Sequence, residues 1–396
     1  MVIQDITMSI NVIKGSRNYY GEYSLEQWIN LMLNKEVILP DYQRAFVWTE
    51  EDVRDFINCL ENGLFVPPVT IGNYGNEKNY ILDGQQRLSA ILIAYLNLFP
   101  QKSKFQFKSQ EYKALANEND DLSAEEEDVI PLEWNFSYFT KLGRDKHGIV
   151  RKIDCSMYKS LEFNLGASFW RDSYIGFSLL VPISDVKEEQ QMLYSSVFRN
   201  INVKGRSLSN MESRKSLYFL RENFDQWFSP RFAYDITINS APIDFVRYLS
   251  LLSQYKRCEN VEVLAQTYKT RMEKYYESYI LSEVTDEDGP IFARLLSSDN
   301  ETVYEELNNQ LHEEGFPREF PSIIDADTYL FGLIYYTIAE RKIVSITDEL
   351  ISEINTKVQE FKNDIGHTKS PSAFKHLRGR VRASLGIYRK YINIPS

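Results

Sequence analysis

The sequence predicts an α+β protein with a mixed N-terminal half and an all-α C-terminal half. Two observations lead there. Up to about Tyr218, short β-branched and aromatic runs bounded by turn residues alternate with amphipathic stretches. Beyond it the strand signals almost vanish, and helical periodicity takes over around Phe245–Tyr255, Val261–Leu281, Tyr304–His312, Thr328–Arg341 and Thr347–Phe361. A chain of 396 residues has room for two domains of ordinary size. The division is placed at 1–215 and 216–396, and no repeat at a fixed period is present.

Ser24-Leu25-Glu26-Gln27 reads as a capping box that starts a helix running to about Lys35, with Trp28, Ile29 and Met32 on one face. Val37–Pro40 is extended and leads into Asp41–Trp48. Thr49 with Asp52 opens the next helix, whose apolar stripe is Val53, Phe56, Ile57 and Leu60 and which Gly63 ends. Val66–Ile71 is extended, and its two prolines suggest an edge strand. Asn79–Leu82 is a strand, Asp83-Gly84 a turn, and Leu88–Leu96 an apolar helix.

Residues 105–160 read as an acidic insertion. The run Asn117–Asp128 lacks apolar periodicity, which describes a solvated loop or a docking segment for a basic partner. Tyr174–Val181 follows as a core strand and Glu188–Asn200 as a helix. Ile201–Arg206 is a turn, before a helix that Ser209 and Glu212 cap.

Composition narrows the function. Hydrophobic content of 43% fits a packed globular core, and a net charge of −11 argues against broad adhesion to nucleic acid while leaving room for a local basic patch. Cys59, Cys155 and Cys258 are scattered and odd in number, which supports neither a disulfide framework nor a zinc site. No secretory signal is read and the most apolar runs are too short for a bilayer, so a cytoplasmic protein is expected.

The most informative stretch is Asp83-Gly84-Gln85-Gln86-Arg87. Asp83 can cap the helix, with Gln86 returning the bond. Arg87 is a cation in the first helical turn, where the macrodipole is positive. A helix start with amide side chains and a misplaced arginine suits a phosphate or other anion. The alternative is an Arg87 paired with a carboxylate elsewhere in the fold. At the other end, Lys369, Lys375, Arg378, Arg380, Arg382, Arg389 and Lys390 are interleaved with the stripe Phe374, Leu377, Val381, Leu385 and Tyr388. Either Arg378, Arg380 and Arg382 meet DNA phosphates, or the helix docks by its stripe with its cations facing the acidic body.

Three segments, Leu39–Trp48, Tyr80–Ala90 and Val197–Leu208 leading to Glu212, together resemble the N-terminal domain of GmrSD-type, modification-dependent restriction endonucleases. The resemblance covers roughly 20–215. It implies a ParB/sulfiredoxin-like fold and a place in a bacterial anti-phage or restriction system. It also implies that the aspartate-glycine-glutamine-glutamine-arginine motif binds and hydrolyses a nucleoside triphosphate with Mg2+. Carried over, Asp83, Gln85, Gln86 and Arg87 are the expected catalytic residues, with Asp83 holding the metal and a glutamine orienting water. Tyr42, Gln43, Arg44, Gly84, Asn202 and Lys204 complete the expected nucleotide-binding set, although Tyr42 and Trp48 also read as core aromatics and Asn202 as a surface-turn residue. The implied partners are DNA and a separate nuclease or effector, with a homo-oligomer allowed. His147, His312, His367 and His376 do not form the HNH-type pattern that complete enzymes of this type carry. Two further readings stay open: a non-catalytic DNA- or protein-binding module, and a DNA nickase using the ParB-like domain itself.

Overall fold

The computed structural model describes residues 15–40, 46–74, 78–105, 134–204, 210–218, 220–221, 223–266, 268, 272–284, 290–297 and 299–392. The fold is mixed α+β, and the described residues fall into two compact units that meet in sequence at Asn223.

In the N-terminal unit, strand β1 (Ser16–Ser24) leads into helix α1 (Leu25–Leu33) and strand β2 (Val37–Ile38). Helix α2 (Glu50–Glu61), β3 (Val69–Tyr74), β4 (Lys78–Asp83), α3 (Gln85–Leu96) and β5 (Leu98–Pro100) follow. Next come α4 (Ser137–Thr140), α5 (Lys146–Lys152), β6 (Tyr158–Ser160), α6 (Ala167–Asp172), β7 (Tyr174–Pro182), α7 (Lys187–Lys204) and α8 (Asn210–Tyr218). Five strands form one sheet in the order β1-β7-β3-β4-β2, and β5 and β6 pair separately.

Local chemistry explains the helix starts. Ser24 Oγ accepts the Gln27 amide at 3.2 Å, and Thr49 with Asp52 forms a reciprocal capping box. Trp28, Ile29 and Met32 are buried together, and Trp28 Nε1 donates to Ile175 O at 3.1 Å, which fastens α1 to β7. β3 is not an edge strand: β7 flanks it on one side and β4 on the other. Pro67 and Pro68 lie before the first ladder residue, Val69, so neither missing N–H falls within the ladder.

The acidic insertion is shorter than the sequence predicts. Trp134, Phe136, Phe139, Ile149 and Tyr158 are core residues, and Phe46 N donates to Trp134 O at 2.9 Å. The acidic run itself lies outside the described residues. The turn expected at Ile201–Arg206 does not begin at Ile201, because Ile201–Lys204 is the last turn of α7.

The C-terminal unit is mainly helical, as the periodicity predicts. Its elements are α9 (Phe224–Phe228), β8 (Thr237–Ile238), β9 (Ala241–Pro242), α10 (Phe245–Cys258), α11 (Met272–Val284), α12 (Asn300–Leu311) and β10 (Glu319–Phe320). Helices α13 (Ile323–Ile334), α14 (Asp348–Asn363), α15 (Ile365–Lys369) and α16 (Phe374–Tyr388) complete it. The helix expected over Val261–Leu281 does not run through: Val261–Val263 is a short 3-10 turn and α11 begins only at Met272. Helices α13 and α16 pack against each other at Gly332. A Cβ there would lie 2.7 Å from Ser384 O, so the close approach needs a glycine. The Gly332 amide donates to Ser384 Oγ at 2.7 Å. No helix among the described residues is long and apolar enough to cross a membrane.

Candidate functional site

The Asp83–Arg87 motif lies where β4 turns into α3. Thr70 pairs with Asp83 but Ile71 with Ile81, so a β-bulge interrupts the ladder just before the turn. Gly84 then adopts φ +98°, a left-handed conformation open to glycine, and a Cβ there would lie 2.9 Å from Val69 Cγ2.

The predicted capping box between Asp83 and Gln86 does not form. Gly84 is the N-cap, and no side chain caps α3. Asp83 instead closes β4, and its Oδ2 accepts from Arg87 Nη2 at 2.7 Å. That i,i+4 pair offsets the unfavourable placement of a cation at the positive end of the macrodipole. Arg87 Nη2 also donates to Pro68 O at 3.3 Å.

The two glutamines differ in role. Gln86 Oε1 accepts the Val47 amide at 3.0 Å and so fastens the end of the Leu39–Trp48 motif to the first turn of α3. Gln85 is 3% exposed, yet its Nε2 has no hydrogen-bond partner, and neither does the buried Nε of Arg87. Ser89, one helical turn beyond Gln85 and missed by sequence reasoning, is also buried with an unsatisfied hydroxyl. Three polar atoms in the first two turns of α3 are thus buried without a hydrogen-bond partner, at a cost in stability. Trp48 packs edge-on against Phe56 at 5.3 Å and is half-buried against the core.

Tyr42, Gln43 and Arg44 lie outside the described residues. Asn202 and Lys204 are in the last turn of α7, and their side chains lie outside the described part.

Of the expected DNA-contacting arginines, Arg380 is corrected by its surroundings. Arg380 is fully buried; its Nε donates to Asp327 Oδ2 at 2.9 Å and its Nη1 lies 2.8 Å from His367 Nε2. Arg247 grips the same carboxylate with both terminal nitrogens, at 2.6 and 2.9 Å. Burial alone would raise the Asp327 pKa, but the two guanidiniums outweigh it and hold the carboxyl below the usual range. Arg378 donates to Leu264 O at 2.7 Å, and Arg382 pairs with Glu262 at the surface. A continuous phosphate-facing row of Arg378, Arg380 and Arg382 is therefore absent, since the stripe of α16 turns Arg380 into the core.

The four histidines form no HNH-type pattern in the sequence, but the fold brings two of them together. The rings of His367 and His376 meet at a tilt of 42° with centroids 4.4 Å apart, beside Asp364. Burial, with Arg380 next to it, pushes the His367 pKa down to about 4. Elsewhere in this unit, burial raises Glu283 to about 7, although it accepts the Leu295 and Leu296 amides.

Comparison with known proteins bears on the first of these sites. The family model of the GmrSD restriction endonuclease N-terminal domain matches residues 25–219, which include the whole Asp83–Arg87 turn. Residues 25–219 are a GmrSD N-terminal domain. The chain is also similar to an uncharacterised protein of Methanocaldococcus jannaschii, with 25% identity over 281 residues. That match takes in 54% of this chain but 46% of the relative, so the chain spans less than half the relative's length. No solved structure matches the chain. The bulge, Gly84 and the uncapped start of α3 all lie inside the GmrSD domain, whereas α16 lies beyond it.

Proposed function

We propose that the protein is a nucleoside-triphosphate-binding and hydrolysing component of a DNA restriction or anti-phage system, with its GmrSD domain in a ParB-like fold. The observation that carries this reading is the uncapped start of α3, where Gln85 Nε2 and Arg87 Nε are buried without partners. A guanidinium and an amide side chain at the positive end of a helix match the charge and geometry of nucleotide phosphates. Gly84 allows this arrangement, since a Cβ there would crowd Val69 Cγ2 at 2.9 Å and Arg87 Nη2 at 3.1 Å. Where Mg2+ accompanies the nucleotide, Asp83 is the carboxylate at hand, and Arg87 already orients it. Magnesium would supply charge neutralisation at the phosphates. Gln85 would donate to a phosphate oxygen or orient water, while Gln86 holds the Leu39–Trp48 motif in position through Val47.

Purified protein with Mg2+ should release phosphate from at least one of the common nucleoside triphosphates. Arg87→Ala should abolish that release while the melting temperature falls by no more than a few degrees. Absence of both binding and turnover with every nucleotide would remove the enzymatic reading. A non-catalytic module is the second reading, favoured by the Arg87–Asp83 and Gln86–Val47 bonds, which are what a purely structural turn would make. In that case Arg87→Ala lowers stability and nothing else.

A further inference from the structure

The first turn of α16 opens on a cleft of about 880 Å³, lined by Asp364, His367, Lys375, His376, Arg378 and Arg382 among others. Three of its features bear on what it could hold. Helix α16 starts at Ala373 with no capping side chain and no acidic residue in its first turn. Lys375 and His376 stand there instead, at the positive end of the macrodipole, and Arg378 follows. That order disfavours the helix by itself and favours an anion beside it.

His367 is the second feature. It is 3% exposed and lies on the cleft wall. Arg380, which can only donate, occupies Nε2 at 2.8 Å, so the neutral ring carries its proton on Nδ1. Among the described residues no acceptor meets that Nδ1–H. The third feature is Arg378, held on the wall by Leu264 O at 2.7 Å and lying over the Phe374 ring at 5.5 Å. It is ordered before any ligand arrives.

The same cluster suggests a metal by spacing alone, since Asp364, His367 and His376 offer atoms within 4.8 Å of one another. The hydrogen bonding argues otherwise. One nitrogen of His367 is taken by Arg380 and the other bears the proton, so neither has a lone pair to give, and a guanidinium lies directly behind the ring. Of the two carboxylates on the wall, Glu262 is paired with Arg382, and Asp364 Oδ1 is used by the Gly366 and His367 amides as the cap of α15.

We infer that this cleft holds the phosphate group of a phosphate monoester, seated on the first turn of α16 with Lys375, His376 and His367 Nδ1–H as its donors. Phe361 and Phe374 on the wall offer apolar surface to the organic part of the ligand. A mononucleotide and the 5′ end of a nucleic-acid strand share this chemistry. The inference is independent of the nucleotide reading of α3 and stands or falls without it.

The chain has four histidines, so selective 13C labelling of the full-length protein gives a site-specific reporter. Inorganic phosphate, adenosine 5′-monophosphate, a short single strand with and without a 5′ phosphate, and zinc chloride are titrated separately. The His367 and His376 signals should move saturably with the phosphate probes, while His147 and His312 stay still. Lys375→Glu should weaken binding by about ten-fold or more with the melting temperature within a few degrees, because Lys375 is exposed. Lys375→Gln, expected to weaken binding less, serves if the charge reversal disturbs the fold. Whichever of the mononucleotide and the phosphorylated strand saturates first names the source. Static histidine signals up to about 10 mM of every phosphate probe would overturn the inference. So would an affinity indifferent to Lys375, or an equimolar response to zinc with none to phosphate.

Discussion

Asp327 in helix α13 is the residue on which the C-terminal unit should depend most. Its carboxylate is fully buried and shared by Arg247 and Arg380, which are 5% and 0% exposed. Asp327→Asn keeps the volume, so no cavity forms, but it removes the buried negative charge that both guanidiniums share. Breaking a buried pair in this way costs about 3–5 kcal/mol. For a unit of this size each kcal/mol moves the midpoint by about 2–4 °C, so a fall of roughly 6–20 °C is expected. Calorimetry on the full chain should show the loss in the transition of the C-terminal unit alone. Arg380→Met should lose less, because Asp327 keeps Arg247. Arg382→Gln, which breaks a surface pair, should leave the midpoint within about a degree. A shift below about 2 °C for Asp327→Asn would refute the reasoning, as would an Arg380→Met variant that loses DNA binding with its stability intact.

Other expectations follow from the same geometry. Gly84→Ala forces a φ of +98° on a residue with a Cβ and should cost about 1–3 kcal/mol by denaturant titration. Glu283, raised by burial from 4.5 to about 7, binds its proton more readily folded than unfolded. Its stabilisation is complete below pH 4.5 and is lost as the pH rises through 7, on the order of 3 kcal/mol in all. His367, depressed by burial from 6.5 to about 4, acts in the opposite sense: its contribution is complete above pH 6.5 and is lost as the pH falls through 4. Between pH 4.5 and 6.5 the two slopes oppose, so Glu283→Gln should unmask an acid-side loss of stability that is shallow in the parent protein; an unaltered pH profile of urea midpoints would contradict this.

What the sequence made legible was local. The Thr49–Asp52 box, the Trp28–Ile29–Met32 face and the Asp83–Arg87 turn all depend on neighbours three or four residues apart, and all lie where they were expected. Strand β1 left no trace because it is an edge strand exposed along most of its length, which removes the alternation that reveals a strand. Trp134–Ser160 enters the core in pieces of three to seven residues, too short to show a period. The fate of Arg380 was hidden because its carboxylate lies 53 positions earlier in the chain. Likewise the unsatisfied amide of Gln85 is a property of its surroundings, which no spacing of residue types records. His367 and His376 meet because the chain reverses at Ser370 between α15 and α16.

The placement of β7 bears on what a single cut would do. Strands β1 to β5 all precede Phe105, while β6 and β7 follow Trp134, and β7 lies between β1 and β3. A protease acting between those two points would break the chain without freeing either piece. The later fragment is held by ladders on both flanks, by the β5–β6 pair and by the Trp28–Ile175 bond. To leave, it must unzip two ladders at once and expose the aromatic core between them. The N-terminal unit is thus built to behave as a two-fragment complex, and the pieces expressed separately should find each other and restore it.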